Sequence, residues 1–169
     1  MSLAAPIVIR PARLGDALAI AALHHVAVHK LAAPFYPREV LEHWSPPVTL
    51  TGAERRYRET QEDGGLTLLA EHDGGLAGFG VVIPEAGEIA ACYVAPELSR
   101  RGIGRTLLGA MEATVSAHGV HEINVRASLN SKSFYSAFGY HVSGRGEYRF
   151  EDGTVMVVAF MRKDNSPIV

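Results

Sequence analysis

A glycine turn flanked by arginines is the segment of this 169-residue chain best suited to chemistry. Gly102 and Gly104 follow an apolar strand and open an apolar helix, with Arg100, Arg101 and Arg105 beside them. The first N–H groups of a helix lack intrahelical acceptors and carry partial positive charge, so they bind anions. Glycine also lets the backbone approach an anion closely. The pattern predicts a phosphate or diphosphate site; the alternative is a turn that only packs the helix on the strand.

Two well-known phosphate-binding motifs do not fit this turn. A P-loop needs a Gly-Lys pair, and the chain has no such dipeptide. A dinucleotide fingerprint needs a third glycine at the position that Leu107 occupies. Both mismatches argue against a nucleotide ligand, which stays a weaker alternative.

Length and composition restrict the classes of protein to consider. The chain has 16 Lys and Arg against 18 Asp and Glu, a net charge of −2, and one cysteine. A slightly acidic chain argues against a nucleic-acid binder, and one cysteine forms no internal disulfide. No apolar run reaches the roughly 18 residues that a membrane span needs. We therefore expect a single domain over residues 1–169, in the cytoplasm, with no nucleic-acid or membrane partner.

Hydrophobic periodicity and turn residues predict the elements that must position the turn. The predicted order is β-α-α-α-β-β-β-α-β-α-β-β, which indicates a mixed α/β sheet. The predicted strands cover 7–10, 66–71, 75–83, 88–94, 121–127, 140–150 and 154–161. The predicted helices cover 16–30, 38–44, 51–62, 103–118 and 131–138.

Local signals define several ends of these elements. Asp16 is the expected N-cap of the first helix, and Leu31 falls on its inner apolar stripe. Thr51 and Glu54 form a capping-box pattern for the third helix. The dipeptide Asp73-Gly74 predicts a tight hairpin turn between two strands.

Two segments resemble signatures of the GNAT N-acetyltransferase superfamily. Residues 94–108 (VAPELSRRGIGRTLL) are similar to its acetyl-CoA signature. Residues 130–140 (NSKSFYSAFGY) are similar to its second signature, a helix that ends in a Gly-aromatic pair. One position departs from the family pattern: Ser99 stands where the family has Gln or Arg, and the neighbouring Arg100 and Arg101 could supply the lost charge.

This resemblance implies a fold and a cosubstrate. The fold class is α/β, with a mixed, mostly antiparallel sheet of about seven strands and flanking helices. Its parallel strands 4 and 5 splay apart, and they correspond to residues 88–94 and 121–127. The cosubstrate is acetyl-CoA, whose pantetheine arm inserts between these two strands, and no metal is implied.

The resemblance also implies contacts with that cosubstrate. Backbone groups of Cys92, Tyr93 and Val94 pair with the pantetheine, and amides of residues 101–105 hold the diphosphate. Asn130 serves the pantetheine or phosphate side, with Ser128 as the alternative position. The implied cofactor-binding set is Cys92, Tyr93, Val94, Arg100, Arg101, Gly102, Ile103, Gly104, Arg105, Asn130 and Tyr135.

Acetyl transfer to a primary amine requires a neutral amine, a stabilised oxyanion and a protonated leaving thiolate. By resemblance, Tyr135 is the candidate acid and Glu88 the candidate base, with a backbone N–H near Cys92 or Tyr93 at the oxyanion. A period-two strand puts Glu88, Ala90 and Cys92 on one face. The alternative for Tyr135 is a packing role in the core. The alternative for Glu88 is a solvated side chain, with ordered water acting as the base.

The acceptor pocket is formed, again by resemblance, by the first helices and the last hairpin. Its candidate wall residues are Phe35, Tyr36, Trp44 and Tyr148, for which packing under a loop is the alternative. Aromatic side chains suit an apolar or cationic acceptor. The partner is then a small-molecule or peptide amine, and the resemblance is compatible with a homodimer.

Cys92 and the histidines carry weaker signals. Cys92 lies in an apolar strand with no adjacent histidine, which favours a structural cysteine. His25 and His29 are four residues apart and could share a metal, but two ligands are too few without a third. No metal site is therefore expected, and these two histidines belong to a solvated face or to the wall of the acceptor cleft.

The sequence thus predicts an enzyme that moves an acetyl group from acetyl-CoA to a primary amine. Transfer is direct, in a ternary complex, with no covalent enzyme intermediate. The alternative is a CoA-binding sensor or interaction module without turnover, which the departure at Ser99 and the unsettled base favour.

Overall fold

A seven-stranded sheet carries helices on both faces in the computed structural model, which describes residues 6–166. The strands are β1 (Val8–Pro11), β2 (Leu66–His72), β3 (Gly75–Ile83), β4 (Glu88–Val94), β5 (Glu122–Ser128), β6 (His141–Arg149) and β7 (Val155–Asp164). The helices are α1 (Ala17–Ala27), α2 (Arg38–Trp44), α3 (Leu50–Glu62), α4 (Ile103–Ala117) and α5 (Lys132–Ala137). No helix within this range has the length and apolar character of a membrane span.

The sheet opens between its fourth and fifth strands. The strand order is β1-β2-β3-β4-β5-β7-β6, and every neighbouring pair is antiparallel except β4 and β5. Within residues 6–166, those two strands pair only through Glu88 with Asn124 and Ile89 with Val125. Beyond these pairs β4 and β5 have no ladder between them. The predicted fold class, with splayed parallel strands 4 and 5, is confirmed.

Helix α4 is held on the sheet by its apolar face. The residues of this face recur three or four positions apart, and each is at most 1% exposed: Ile103, Leu107, Leu108, Met111 and Val115. They share a core with Ile89 of β4 and Val125 of β5. Burial of one such side chain contributes about 1.5–3 kcal/mol before entropy losses. This packing sets the start of α4 beside the ends of the splayed strands.

A β-bulge interrupts β4 and changes which side chains share a face. Val81 pairs with Ala91 while Val82 pairs with Ile89, so Ala90 is an extra residue on β4. Ile89 and Cys92 therefore both pack on the α4 side, whereas Ala91 packs with the α1 side. Glu88, which alternates with Ile89, lies on the face opposite to Cys92. The expectation that Glu88 and Cys92 share a face is wrong, because a strict period of two does not survive the bulge.

The first helix differs from its prediction at its C-terminal end. The α-helix ends at Ala27 and continues as a π-helical turn over Val28–Ala32. This change of pitch leaves Leu31, expected on the inner stripe, 41% exposed. At the other end Asp16 is the N-cap residue, as predicted, but its carboxylate binds the Arg10 guanidinium at 2.8 Å and makes no capping hydrogen bond to this helix.

Candidate active site

A cavity of about 1370 Å³ follows the opening between β4 and β5. One end lies at the turn before α4, where Gly102 and Gly104 line it. Its middle is lined by Cys92 of β4 and Tyr135 of α5. The other end reaches α2 and the β6–β7 hairpin. The splayed strands thus give a continuous path from a helix N-terminus to an aromatic wall.

The turn before α4 offers backbone N–H groups to this cavity. Gly102 has a φ of +85°, a left-handed conformation that favours glycine, and a Cβ at this position would meet open space. The Thr106 N–H donates to the Gly102 carbonyl at 3.0 Å, which closes the first turn of the helix. The N–H groups of residues 103–105 precede that bond and therefore have no acceptor within the helix. This geometry suits an anion.

The other residues of the turn divide by position. Arg100, whose φ is +67°, and Arg105 line the cavity, but Arg101 is not among its lining residues in the described part of the chain. A Cβ on Gly104 would lie 3.0 Å from the Phe134 ring of α5. The second glycine therefore serves close packing between α4 and α5, and the first serves the turn itself.

Tyr135 sits beside β4 at the middle of the cavity. It is only 3% exposed, and its ring packs edge-on against Phe134 and Tyr140. Burial raises the pKa of Tyr135 well above its usual value, and its neighbours Cys92 and Tyr93 raise that pKa further. The phenol therefore keeps its proton across the physiological range and is available as a donor.

Cys92 is a poor nucleophile in this setting. Burial raises the pKa of its thiol to about 12, so the reactive thiolate is scarce at neutral pH. Cys92 packs against the apolar core beneath α4. The structure is consistent with the structural cysteine that the sequence indicates.

Asn130 and Ser128 differ in their hydrogen bonding. The Oδ1 atom of Asn130 is buried without a hydrogen-bond partner among residues 6–166, and the residue lines the cavity. The Ser128 hydroxyl lies 3.0 Å from the Ser131 hydroxyl, so it already has a neighbour. A buried acceptor without a donor is costly, and Asn130 is thus the residue with capacity left for a ligand.

The predicted acceptor wall is only partly assembled. Phe35, Trp44 and Tyr148 line the far end of the cavity. Tyr36 is not among the cavity-lining residues within 6–166; it is 7% exposed, and its hydroxyl donates to the Val157 carbonyl at 2.7 Å. The expectation that Tyr36 contacts the acceptor is not met, because this side chain is buried and its hydroxyl is hydrogen-bonded to β7.

The far wall also contains residues that the sequence did not single out. His43 of α2 binds Asp152 of the β6–β7 hairpin, with 2.8 Å between Nε2 and Oδ2. The His43 ring stacks on Phe150 with 5.6 Å between centroids. Glu39 joins them, and ligand atoms of the three polar residues lie within 4.8 Å of one another on the exposed surface. These contacts join distant parts of the chain, so no local spacing reveals them.

Three histidines converge on Ser45, which is 3% exposed. His24 Nδ1 lies 2.9 Å from the Ser45 hydroxyl. His25 Nδ1 and His29 Nε2 lie 3.0 and 2.9 Å from the Ser45 carbonyl, so both nitrogens donate to it. His25 and His29 thus hold the loop after α2. The His24 ring also meets Tyr93 edge-on at 4.7 Å, which connects this cluster to β4.

Glu88 lies at the closed end of the opening. It pairs in register with Asn124, and its carboxylate binds Arg126 at 3.4 Å. It lines a smaller cavity of about 260 Å³ together with Phe160. Glu88 is not among the residues that line the larger cavity in the described chain. The two candidate catalytic residues are therefore not brought together.

Comparisons with known proteins agree with this architecture. The chain is similar to a GCN5-related N-acetyltransferase from Rhodopseudomonas palustris, with 27% identity, 97% of this chain and 99% of that chain covered, and a TM-score of 0.85. It is also similar to a ribosomal-protein-alanine N-acetyltransferase from Brucella melitensis, at 25% identity, coverage of 93% and 99%, and a TM-score of 0.70.

A third solved structure shares the fold at lower identity. It is the PaiA N-acetyltransferase from Thermoplasma acidophilum in complex with coenzyme A, with 23% identity, coverage of 94% and 99%, and a TM-score of 0.74. A search of curated proteins gave no significant match. The family model described as an acetyltransferase (GNAT) domain matches residues 32–163, which is most of the chain. The chain therefore belongs to the GNAT acetyltransferase family.

Proposed function

We propose that this protein transfers an acetyl group from acetyl-CoA to a primary amine by direct attack in a ternary complex. The observation that carries the proposal is the continuous cavity that joins the N-terminus of α4, Tyr135 and an aromatic wall through the opening between β4 and β5. Membership of the GNAT acetyltransferase family supports an acetyl-CoA-dependent acyltransferase. The choice of an amine as acceptor is our inference.

The residues present fit acetyl-CoA. Beyond Ile89, the edge of β4 that faces β5 has no strand partner within residues 6–166. Backbone groups of Cys92–Val94 are therefore available to an extended pantetheine as to an added strand. The orphaned Oδ1 of Asn130 would accept from an amide N–H of the same arm. The N–H groups of residues 103–105 would hold the diphosphate, with Arg100 and Arg105 beside them.

In the reaction, a C–N bond forms as the C–S bond breaks. The amine proton passes to the base, which is Glu88 or ordered water. The leaving sulfur gains a proton from Tyr135, and the phenolate regains one from solvent. When bound, acetyl-CoA supplies the thioester carbonyl and the thiolate leaving group. Tyr135 holds a proton at its hydroxyl, which its raised pKa keeps in place, and gives it to the leaving sulfur. A backbone N–H of β4 near Cys92 donates to the oxyanion.

The base that takes the amine proton is Glu88 or ordered water. Glu88 shares the α1-side face of β4 with Tyr93, which is the side of the acceptor wall. Its carboxylate, however, is ion-paired with Arg126 and lies outside the larger cavity. Glu88 therefore stays a candidate by resemblance, and ordered water is the alternative. If Glu88 is the base, Glu88→Gln lowers kcat at neutral pH, and the loss shrinks as the pH approaches the pKa of the amine. If Glu88 only pairs with Arg126, kcat is unchanged.

The acceptor end favours an amine with apolar or aromatic substituents. Phe35 and Tyr148 are 51% and 48% exposed there, and the Trp44 ring completes the wall. Asp152 adds a carboxylate to the same end. Such a wall attracts a cationic amine before it loses its proton.

A free-thiol release assay over a panel of amines tests the proposal. The panel should contain polyamines, amino acids, lysine and N-terminal peptides, and aromatic amines, with acetyl-CoA as the donor. We expect turnover above the hydrolysis background with at least one class. A protein that binds CoA by calorimetry but releases no thiol with any amine is a CoA-binding module, and the proposed function is then wrong.

A further inference from the structure

The charges that line the larger cavity are unevenly paired. Its arginines in the described chain are Arg56, Arg100, Arg105, Arg126 and Arg149. Arg126 pairs with Glu88 at 3.4 Å. Arg149 pairs with Glu147 at 2.9 Å. Arg100, just before α4, and Arg105, in its first turn, are accounted for by the proposed diphosphate. Arg56, on α3, is the cation that the proposed cofactor site leaves unexplained.

Helix α3 provides carboxylates for the neighbours of Arg56 but not for Arg56 itself. Arg58 binds Glu54 at 3.1 Å, and Arg55 binds Glu59 at 3.8 Å, both at a spacing of four residues. The residues four positions before and after Arg56 are Gly52 and Thr60. Within residues 6–166, no carboxylate forms an ion pair with Arg56.

The positive charge of Arg56 affects two aromatic residues near the cavity, His24 and Tyr93. Burial, and after it the positive charge of Arg56, lower the pKa of His24 to about 3. Burial raises the pKa of Tyr93, and the Trp44 indole and the charge of Arg56 offset part of that rise. Tyr93 and Arg56 both line the cavity, and His24 packs on Tyr93. Arg56 is an exposed residue whose place in the cavity lining leaves its guanidinium open to a ligand.

We propose that Arg56 binds an anionic group of a substrate in this cavity, either a phosphate of CoA or a carboxylate of the acceptor. This inference rests on the proposed function, because it takes both molecules to occupy the cavity. A guanidinium presents two parallel N–H donors that match the oxygens of a carboxylate or a phosphate. Arg56 is then a specificity-determining residue rather than a residue of the acetyl-transfer step.

The first arm of the test measures cofactor affinity. The Kd values for CoA and for 3′-dephospho-CoA are determined by calorimetry for the wild type, Arg56→Gln, Arg56→Lys and Arg55→Gln. Arg55 is the matched control, because it is the adjacent arginine of the same helix and already has a carboxylate partner. If a phosphate is the ligand, Arg56→Gln weakens CoA binding roughly tenfold and Arg56→Lys recovers part of it. A smaller loss with 3′-dephospho-CoA identifies the 3′-phosphate.

The second arm compares acceptors that share one amine and carry either a carboxylate or its carboxamide. If a carboxylate is the ligand, Arg56→Gln leaves the Kd of CoA unchanged and removes a roughly tenfold preference in KM for the acid over the amide. The inference is overturned if Arg56→Gln matches Arg55→Gln in both arms. If the wild type turns over no amine, the proposed function fails and only the first arm tests Arg56. An unchanged Kd of CoA for Arg56→Gln then overturns the inference.

Discussion

The hydroxyl of Tyr36 accepts a hydrogen bond of 2.7 Å from the backbone N–H of Leu129, 93 residues further along the chain. The same hydroxyl donates to the Val157 carbonyl at 2.7 Å. Leu129 directly follows β5, and Val157 lies in β7. Tyr36 therefore ties the end of β5 to β7, on the side away from β4. This contact helps to keep one wall of the opening in place where β5 has no ladder to β4.

Replacement of Tyr36 by phenylalanine should affect both stability and cofactor binding. Tyr36→Phe leaves a buried N–H and a carbonyl without their partner, which costs about 1–3 kcal/mol of unfolding free energy. We also expect weaker CoA binding, because the end of β5 is less well held. Urea denaturation and calorimetry measure the two effects.

Tyr57→Phe is the control for this substitution. The Tyr57 hydroxyl donates to the Ala12 carbonyl at 3.0 Å, and neither residue lines the larger cavity in the described chain. This variant should lose stability without any change in the Kd of CoA. Equal effects of the two variants on CoA binding would contradict the role given to Tyr36.

Gly102 should be needed for its backbone conformation. Gly102→Ala places a side chain at a φ of +85°, which costs about 1–2 kcal/mol or forces the turn to move. Either result disturbs the N–H groups of residues 103–105, so we expect CoA affinity to fall at least tenfold. Gly102→Asp adds a negative charge beside the diphosphate and should abolish binding, as calorimetry would record.

Gly109→Ala is the matched control within the same helix. A Cβ at Gly109 meets no atom within 4 Å, and its φ is not left-handed. Alanine in a helix interior is favoured over glycine by about 0.5–1 kcal/mol, so this variant should be more stable with unchanged CoA affinity.

Retained micromolar binding of CoA by Gly102→Asp would refute the proposed diphosphate site.

Tyr135→Phe should lower kcat far more than it weakens CoA binding. The substitution removes the proton donor but keeps the ring that packs on Phe134 and Tyr140. A single general acid contributes typically 10²–10⁴-fold, so a loss of about 100-fold or more in kcat is expected. Because the pKa of Tyr135 is raised, the phenol stays protonated below about pH 10, and kcat of the wild type should not fall there through loss of its proton.

Tyr140→Phe separates catalysis from packing. Tyr140 donates to Glu112 at 3.0 Å and is buried beside Tyr135, but it does not line the cavity in the described chain. We expect this variant to lose stability and to keep kcat. An equal fall in kcat for both variants, or no fall for Tyr135→Phe, would rule against the acid assignment.

The N-terminus of α3 tests how far local sequence signals reach. The predicted capping box at Thr51 is wrong: Thr49 is the N-cap, and its hydroxyl accepts the Gly52 N–H at 3.1 Å. Thr49→Ala should therefore cost about 1 kcal/mol of unfolding free energy. Thr51→Ala should change it by less than about 0.5 kcal/mol, since Thr51 lies exposed within the helix. The reverse order of the two losses in urea denaturation would contradict the assigned cap.

What the sequence predicted well depends on local chemistry. Asp73 and Gly74 have φ values of +52° and +74°, as the predicted hairpin turn requires, and the turn at Gly102 lies where its neighbours indicate. What the sequence did not predict depends on contacts between distant segments. The contact of His24 with Ser45, 21 residues away, produces no periodic pattern in the sequence from which it could be predicted. The bulge at Ala90 arises from the pairing of β4 with β3. A period-two pattern in β4 alone therefore could not predict on which face of the sheet Glu88 lies.

His24 should give the protein a dependence of stability on acid pH. Burial lowers its pKa from 6.5 to about 3, so the imidazole stays neutral in the native state. Between these two pH values the unfolded chain binds a proton that the native chain does not, and the free energy of unfolding therefore falls as the pH falls. Replacement of His24 by glutamine removes this titration, so the variant should show a shallower loss of stability from pH 6.5 towards pH 3. Urea denaturation at a series of pH values measures the slope.

Ser45→Ala distinguishes the titration of His24 from its hydrogen bond. This variant removes the hydroxyl that lies 2.9 Å from His24 Nδ1 and keeps the backbone carbonyl that His25 and His29 use. Because burial is the main cause of the lowered pKa, Ser45→Ala should be less stable at every pH in the series and keep most of the slope. A His24→Gln protein with the slope of the wild type would mean that other groups carry the acid dependence, and the buried neutral state of His24 would then be wrong.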